Sequence, residues 1–222
     1  MKIAIVQNNT KDSLEVTRRL KELLTDEEID IVTHKPDIVI SVGGDGTLLS
    51  AFHRYAHLLD AVRFIGVHTG HLGFYTDWRQ YNLTELVDSL INDNGEFIQY
   101  PLLDVEVVYK NGYKNKHFLA LNESIVKNHR RHSGLRRLHR RSSILNGSGD
   151  DGVCISTPTG STGYNKSIGG AVLHPRLEAL QLTEIASLNN RIYRTLSSPL
   201  IIAPDEWIEI RPIDTNAVYA ND

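Results

Sequence analysis

The stretch Asp37-Ile38-Val39-Ile40-Ser41-Val42 runs directly into Gly43-Gly44-Asp45-Gly46, and Thr47 to Ala56 follows with the pattern of a helix. An apolar run cut off by glycines reads as a strand delivering a loop, and that loop then opens a helix. The same alternation recurs on both sides of it. Ile3-Ala4-Ile5-Val6 reads as a strand, and Asp12 to Leu24 as a helix with Leu14, Val16, Leu20, Leu23 and Leu24 near helical spacing. Phe64-Ile65-Gly66-Val67 reads as a further strand that leads into His68-Thr69-Gly70-His71-Leu72-Gly73, and Leu83 to Ile91 as a further helix. Strands alternating with helices predict a parallel α/β sheet with crossover connections over residues 1–100.

Beyond Tyr100-Pro101 the pattern changes. Residues Leu103 to Tyr109 alternate apolar and polar, Asn111-Gly112 is a hairpin turn signal, and His117 to Leu121 reads as the partner strand. Leu200 to Ala203 and Trp207 to Ile210 flank a turn at Pro204-Asp205-Glu206. The expected fold class is therefore α/β, with an N-terminal parallel α/β domain at 1–100 and a β-rich C-terminal domain at 101–222.

The loop at 43–47 sits where open α/β sheets bind ligands, outside the carboxyl ends of their strands. Glycines let a backbone approach a phosphate chain closely, and a helix start favours negative charge. Asp45 would repel a phosphate, so it needs another role, either holding a magnesium ion or accepting the proton of an attacking hydroxyl. A tight turn in which Asp45 caps the following helix accounts for the motif equally well on its own. Leu121-Asn122-Glu123-Ser124 places an amide beside a carboxylate at a strand end, a pairing that can read a hydroxyl-bearing, nitrogen-rich ligand. The richest segment is Asp151-Gly152-Val153-Cys154-Ile155-Ser156-Thr157-Pro158-Thr159-Gly160-Ser161-Thr162-Gly163-Tyr164-Asn165-Lys166-Ser167. Here a strand at 153–156 feeds a hydroxyl-rich loop whose free N–H groups suit a phosphate-bearing ligand, with Tyr164 adding an aromatic face.

Together these segments resemble the NAD kinase family, in its bacterial ATP/polyphosphate form. The resemblance rests on GGDGT at 43–47, HTGHLGFY at 68–75, LNES at 121–124, DGVCISTPTGSTGYNKS at 151–167 and LTEIASLNNR at 182–191. Lipid kinases and phosphofructokinases share a similar first loop without the 151–167 segment. The resemblance implies transfer of a phosphoryl group from ATP to the 2′-hydroxyl of the adenosine ribose of NAD, giving NADP. It implies that Asp45 accepts or orients the hydroxyl proton and that Gly46 faces the dinucleotide. Asn122 and Glu123 would contact the adenosine half. Asp151 would reach a ribose or the nicotinamide end, within one subunit or across a subunit boundary. Thr162, Gly163, Tyr164, Asn165, Lys166 and Ser167 would line the rest, with Ala186 beside them and Phe74 at the pocket wall. Magnesium is expected as the companion of ATP, and a homo-oligomer, dimer or tetramer, as the assembly. No protein-held metal site is expected: His68 and His71 have a suggestive spacing, yet no cysteine or third histidine lies close by in sequence.

Composition fits a soluble, cytoplasmic protein. The chain is 41% hydrophobic and 23% charged, its formal charge is -3, and its one cysteine, Cys154, can form no internal disulfide. Cys154 reads as a small core residue rather than a reactive thiol. The N-terminal apolar run is too short for a signal peptide, and nothing approaches the roughly 20 apolar residues that cross a bilayer.

Two segments depart from the family pattern. Residues 128–149 hold six of the chain's 24 Lys and Arg with three histidines, no carboxylate and no strand alternation, where the family has two apolar strands. After Ile213 the chain runs only to Asp222, short of the family's closing segment. The spacing from LNES to DGVCIS is nevertheless the family's, and preserved length with scrambled content is what two compensating frameshifts produce. Sequence alone therefore predicts an incomplete second domain, and leaves open a catalytically impaired or non-catalytic dinucleotide-binding product of a damaged gene. A basic nucleic-acid-binding insert is disfavoured, because 128–149 has no aromatic residue for base stacking.

Overall fold

The computed structural model describes all residues except 71, 72, 77, 81, 110, 111, 129–134, 140, 141, 146–150, 189–194, 213–216 and 222, and side chains outside 128–150 and 212–222. His71, Asn111 and the end of the 182–191 motif thus lie outside the described residues. The chain divides into two compact units, Met1–Ile98 and Gln99–Asp222.

The first unit is built on β1 (Lys2–Gln7), α1 (Lys11–Asp26), β2 (Asp30–Ile31), β3 (Ile38–Gly43), α2 (Asp45–Tyr55), β4 (Arg63–His68), β5 (Trp78–Arg79) and α3 (Leu83–Ile91). The five strands form one parallel sheet in the order β2-β1-β3-β4-β5. All six residues of β3 are buried, as a central strand covered on both faces must be. One face carries Ile3, Ile38, Ile40, Val42 and Val67 against Val16, Leu20 and Leu24 of α1 and Leu83, Leu86, Val87 and Leu90 of α3. The other carries Ala4 and Val39 against Ala51 and Tyr55 of α2. Because β2 lies to one side of β1 and β3 to the other, the right-handed crossovers put α1 and α2 on opposite faces. The chain order reverses between β1 and β3, which makes their carboxyl ends the crevice where such sheets take ligands.

Helix α1 starts where Thr10, in extended conformation, accepts the Ser13 N–H on its hydroxyl at 3.3 Å. The Ser13 hydroxyl also meets that of Thr69 at 2.8 Å, tying the helix start to the loop after β4. At the opposite end of the sheet, Arg63 clasps Asp93 with both terminal guanidinium nitrogens, and Asp93 also accepts the Gly95 N–H. This pair closes α3 onto the start of β4.

The second unit contains β6 (Leu103–Val107), β7 (Lys116–Ala120), β8 (Glu123–Asn128), β9 (Leu135–His139), β10 (Ser142–Leu145) and β11 (Gly152–Ser156). It continues with the four-residue α4 (Tyr164–Ser167), β12 (Leu180–Ile185), β13 (Leu200–Ile202), β14 (Ile208–Pro212) and β15 (Ala217–Asn221). Its main sheet is antiparallel, ordered β13-β12-β11-β8-β15, beside a three-stranded β10-β9-β14 sheet and the β6-β7 hairpin. Leu103, Ala120, Val153 and Ile155 are buried together, with Val126, Ile208 and Ile210 packed on them.

Residues 128–149 depart from the family pattern in sequence, yet they contain strands β9 and β10. Within that range β9 pairs with β14 from Ile208↔His139 to Pro212↔Leu135 and with β10 through Ser142↔His139. Likewise β15 pairs with β8 from Ala217↔Asn128 to Asn221↔Ser124. A ladder is made by backbone groups, so a run without alternating side chains can still be a strand when partners stand on either side. The turn at 204–206 is not a hairpin: β13 joins β12, and β14 joins β9.

The Arg63 partner, and next the Gly95 N–H, hold the Asp93 carboxyl down at about 2. A depressed carboxylate stabilises the fold above its unfolded value, and that contribution is lost as pH falls from near 4 toward 2. Asp93→Asn should therefore cost about 1 kcal/mol at pH 7. In thermal melts the gap between the two proteins should narrow as pH drops below 4.

Candidate active site

In the first unit the site is the carboxyl end of β3. Asp45 is the first residue of α2, where a negative charge meets the helix dipole favourably. It does not cap its own helix; no side chain does. Instead Oδ2 accepts the Phe74 N–H at 3.0 Å and Oδ1 accepts the Tyr75 N–H at 3.2 Å. The capping explanation of the motif is thereby replaced. A carboxylate offers about four acceptor positions, so two filled by amides leave others for a hydroxyl proton.

The loop that supplies those amides is fixed from several sides. It folds back over β4 so closely that a Cβ on Gly66 would lie 2.9 Å from Thr76 Cα. Thr76, 1% exposed, accepts the Gly73 N–H at 3.2 Å. A Cβ on Gly73 would strike the Asp45 carboxylate, 2.7 Å from its carbon. Gly44 and Gly46, by contrast, have open space where a side chain would be. Packing does not demand glycine there; the bare backbone leaves room for a ligand to approach closely.

Phe74, expected at a pocket wall, has an exposed ring (71%), and its N–H donates to Asp45. His68 ends β4, buried, with Nδ1 at 3.2 Å from the Gly70 carbonyl oxygen and Nε2 without a partner. Among the described residues no three His, Cys, Asp or Glu side chains converge as a metal would need. Sequence reading overlooked Asn8, the residue after β1. It accepts the Thr10 N–H and hydroxyl at 3.1 and 2.8 Å, and its amide nitrogen would lie 2.8 Å from a Cβ on Gly43. Two consecutive asparagines at the end of the first strand were the available signal.

In the second unit the site is one face of the main sheet. The register Gly152↔Lys127, Cys154↔Ile125 and Ser156↔Glu123 puts those residues on the face opposite Val126, Val153 and Ile155 of the core. The segment after β11 covers this face. Thr157 clamps it to the strand corner, its hydroxyl donating to the Leu121 carbonyl at 2.6 Å and its N–H to that of Asn122 at 2.9 Å. A Cβ on Gly160 would lie 2.6 Å from Asn122 Cα, so only glycine lets the loop this near. Asn122, Glu123 and residues 157–163 are thus brought together; the Glu123 carboxylate lies 4.0 Å from where a Gly163 Cβ would stand.

Asn165 is fully buried and accepts the Thr183 hydroxyl at 2.7 Å while its own N–H groups reach the Ser161 and Ala171 carbonyls. Its side chain holds the loop in place. Thr162 and Tyr164 are half-buried, while Gly163, Lys166 and Ser167 are exposed, Ser167 donating back to the Tyr164 carbonyl at 2.7 Å. At the other end of the face Asp151 is exposed and its N–H donates to Ile185 at 2.9 Å, next to Ala186, whose φ of 50° is left-handed. A left-handed alanine costs on the order of 1–3 kcal/mol and marks a constrained corner. Thr159, absent from the sequence-based set, has a buried hydroxyl with no partner.

Two family models match: the ATP-NAD kinase N-terminal domain over residues 3–96 and the ATP-NAD kinase C-terminal domain over 121–222. The chain belongs to the ATP-NAD kinase family. The NAD kinase of Enterococcus faecalis is 57% identical to it over 211 residues, 95% of this chain and 79% of the relative. That of Levilactobacillus brevis is 53% identical over 216 residues, 96% and 80% respectively. Among solved structures, a yeast NADH kinase complexed with NADH superposes with a TM-score of 0.85 at 19% identity, covering 100% of this chain and 75% of that one. An Archaeoglobus fulgidus NAD kinase in complex with ATP gives 0.78 at 23%, covering 100% and 84%. At these identities the two structures speak for the shared fold.

Two outcomes check the geometry. Gly73→Ala pushes a methyl into the Asp45 carboxylate, so kcat should fall at least tenfold while KM for NAD stays within about threefold, since small misplacements of a reacting group can cost up to ~100-fold. Burial, and then the charge of Glu123, push the Cys154 thiol up to about 12. Native protein at pH 8 should therefore resist a disulfide reagent that labels it at once in denaturant.

Proposed function

We infer that this chain transfers the γ-phosphoryl group of ATP to the 2′-hydroxyl of the adenosine ribose of NAD, yielding NADP and ADP. The observation that carries it is Asp45: a carboxylate fixed by two amides beside two glycines with open space, at the mouth of a parallel sheet.

Phosphoryl transfer asks the protein mainly for positioning and charge stabilisation. The ribose oxygen forms a bond to the γ-phosphorus while the bond to the bridging oxygen of ADP breaks. Asp45 orients the attacking hydroxyl and takes up its proton as that bond forms. A carboxylate is a weak base at neutral pH, so alignment is its larger contribution. Gly46 offers backbone to the dinucleotide. In the second unit, Asn122 and Glu123 hold the adenosine half, Thr162, Gly163, Tyr164, Lys166 and Ser167 line the rest, and Asp151 with Ala186 closes the far end. Asn165 acts by keeping this loop in shape.

Magnesium enters this reading as an ion carried by the phosphates of ATP, where it neutralises charge. The same reading places the protein in the cytoplasm as a dimer or tetramer. A single free cysteine, buried in the fold, suits a reducing compartment.

The test is purified chain with NAD, ATP and magnesium, with NADP read by an NADP-specific dehydrogenase. Turnover of roughly 1–100 per second is expected, as for kinases generally, falling to background with chelator. A cooperatively melting protein that makes no NADP would overturn the assignment.

A further inference from the structure

Lys127 is absent from the set of residues assigned above, yet it stands on the same face. Along β8, Glu123, Ile125 and Lys127 point to one side, and the fifth residue of that strand is roughly 13 Å from the first at 3.3 Å per residue. Its neighbours across the ladder are those of the far end of the face. Lys127 pairs with Gly152, whose missing side chain leaves the lysine stem 3.3 Å from where a Cβ would be. Its ammonium lies 5.1 Å from the centre of the Tyr164 ring. Among the described residues no carboxylate pairs with it.

A lysine at a strand end is most often a solvated surface charge. This one is set apart by what fixes it. A cation over an aromatic face is oriented by the ring quadrupole, but the ring leaves its charge without an anion. The residues around it, Tyr164 and the Asp151-Gly152 corner, are those proposed to hold the dinucleotide. NAD has one anionic part, the pyrophosphate between its two nucleosides. Glu123 would hold one nucleoside and Asp151 reach the other, and Lys127 stands on the same face toward the Asp151 end.

Resting on the kinase reading, we propose that Lys127 is a substrate-binding residue whose ammonium, held over Tyr164, pairs with the pyrophosphate of NAD. The residue then separates dinucleotides from uncharged nucleosides at this face.

The test is calorimetric titration of wild type, Lys127→Met and Lys127→Arg with NAD and, separately, with adenosine, which has no phosphate. Methionine keeps the length and removes the charge. The expected result is NAD affinity about tenfold weaker in Lys127→Met, the scale of one charge-assisted contact, with adenosine within twofold. Lys127→Arg should recover NAD affinity to within threefold, and raising salt should weaken NAD binding less in Lys127→Met than in wild type. Unchanged NAD affinity would overturn the proposal. So would an equal loss for NAD and adenosine without rescue by arginine, which would mean that Lys127 only props Tyr164. NADP formation by wild type is scored separately, so NAD binding without turnover sinks the kinase reading and leaves the Lys127 result readable. A wild type that binds no NAD overturns both.

Discussion

The N–H groups of Phe74 and Tyr75 hold the two oxygens of Asp45, and much of the first unit is arranged so that they can. The carboxylate arrives at the end of a strand buried on both faces, which cannot shift without opening two cores. The amides arrive on a loop pressed against β4 at Gly66 and latched by the buried Thr76. A free carboxylate on a helix start would rotate among several rotamers. Fixing both oxygens removes that freedom before any substrate arrives, which is the form positioning takes in phosphoryl transfer. The absent side chains at Gly44 and Gly46 leave the approach open.

The second unit solves a different problem with a different device. A dinucleotide is long and polar, so it needs a face rather than a point. An antiparallel sheet presents alternate residues to one side, and one such side carries Glu123, Lys127 and Gly152 while the opposite side builds the core with Val126 and Val153. The hydroxyl-rich loop is held onto that face by buried hydrogen bonds of Thr157 and Asn165. Several hydroxyl and amide side chains in the 157–167 segment thus serve the loop, leaving a smaller group to meet a ligand.

Much of this was legible in the residues. The apolar run at 38–42 and the helical spacing at 83–91 mark elements that the structure places at Ile38–Gly43 and Leu83–Ile91. Motif chemistry located Asp45 but not its partners, because hydrogen bonds from residues 74 and 75 depend on a loop path that spacing does not encode. The strands at Leu135–His139 and Ser142–Leu145 were illegible for a physical reason. Their pairing is set by β14 and by each other, and a basic, non-alternating run carries no period-2 signal. Asn165 illustrates the converse: a polar residue inside a binding motif whose side chain is buried in scaffolding. Lys127 went unnoticed because a lysine at the end of a strand has no pattern of its own until the register sets it opposite Gly152 and Tyr164 comes beneath it.

The proposed reaction turns on Asp45 aligning the attacking hydroxyl and taking up its proton. The direct measurement is Asp45→Asn, with NAD affinity by titration and kcat by NADP formation on the same preparation. Asparagine keeps the shape and can still accept one amide, but it cannot take a proton. The expected dissociation constant for NAD stays within about threefold of wild type, with kcat lower by roughly 100-fold or more. Activity within a few-fold of wild type would contradict this role, as would a loss explained entirely by weaker NAD binding.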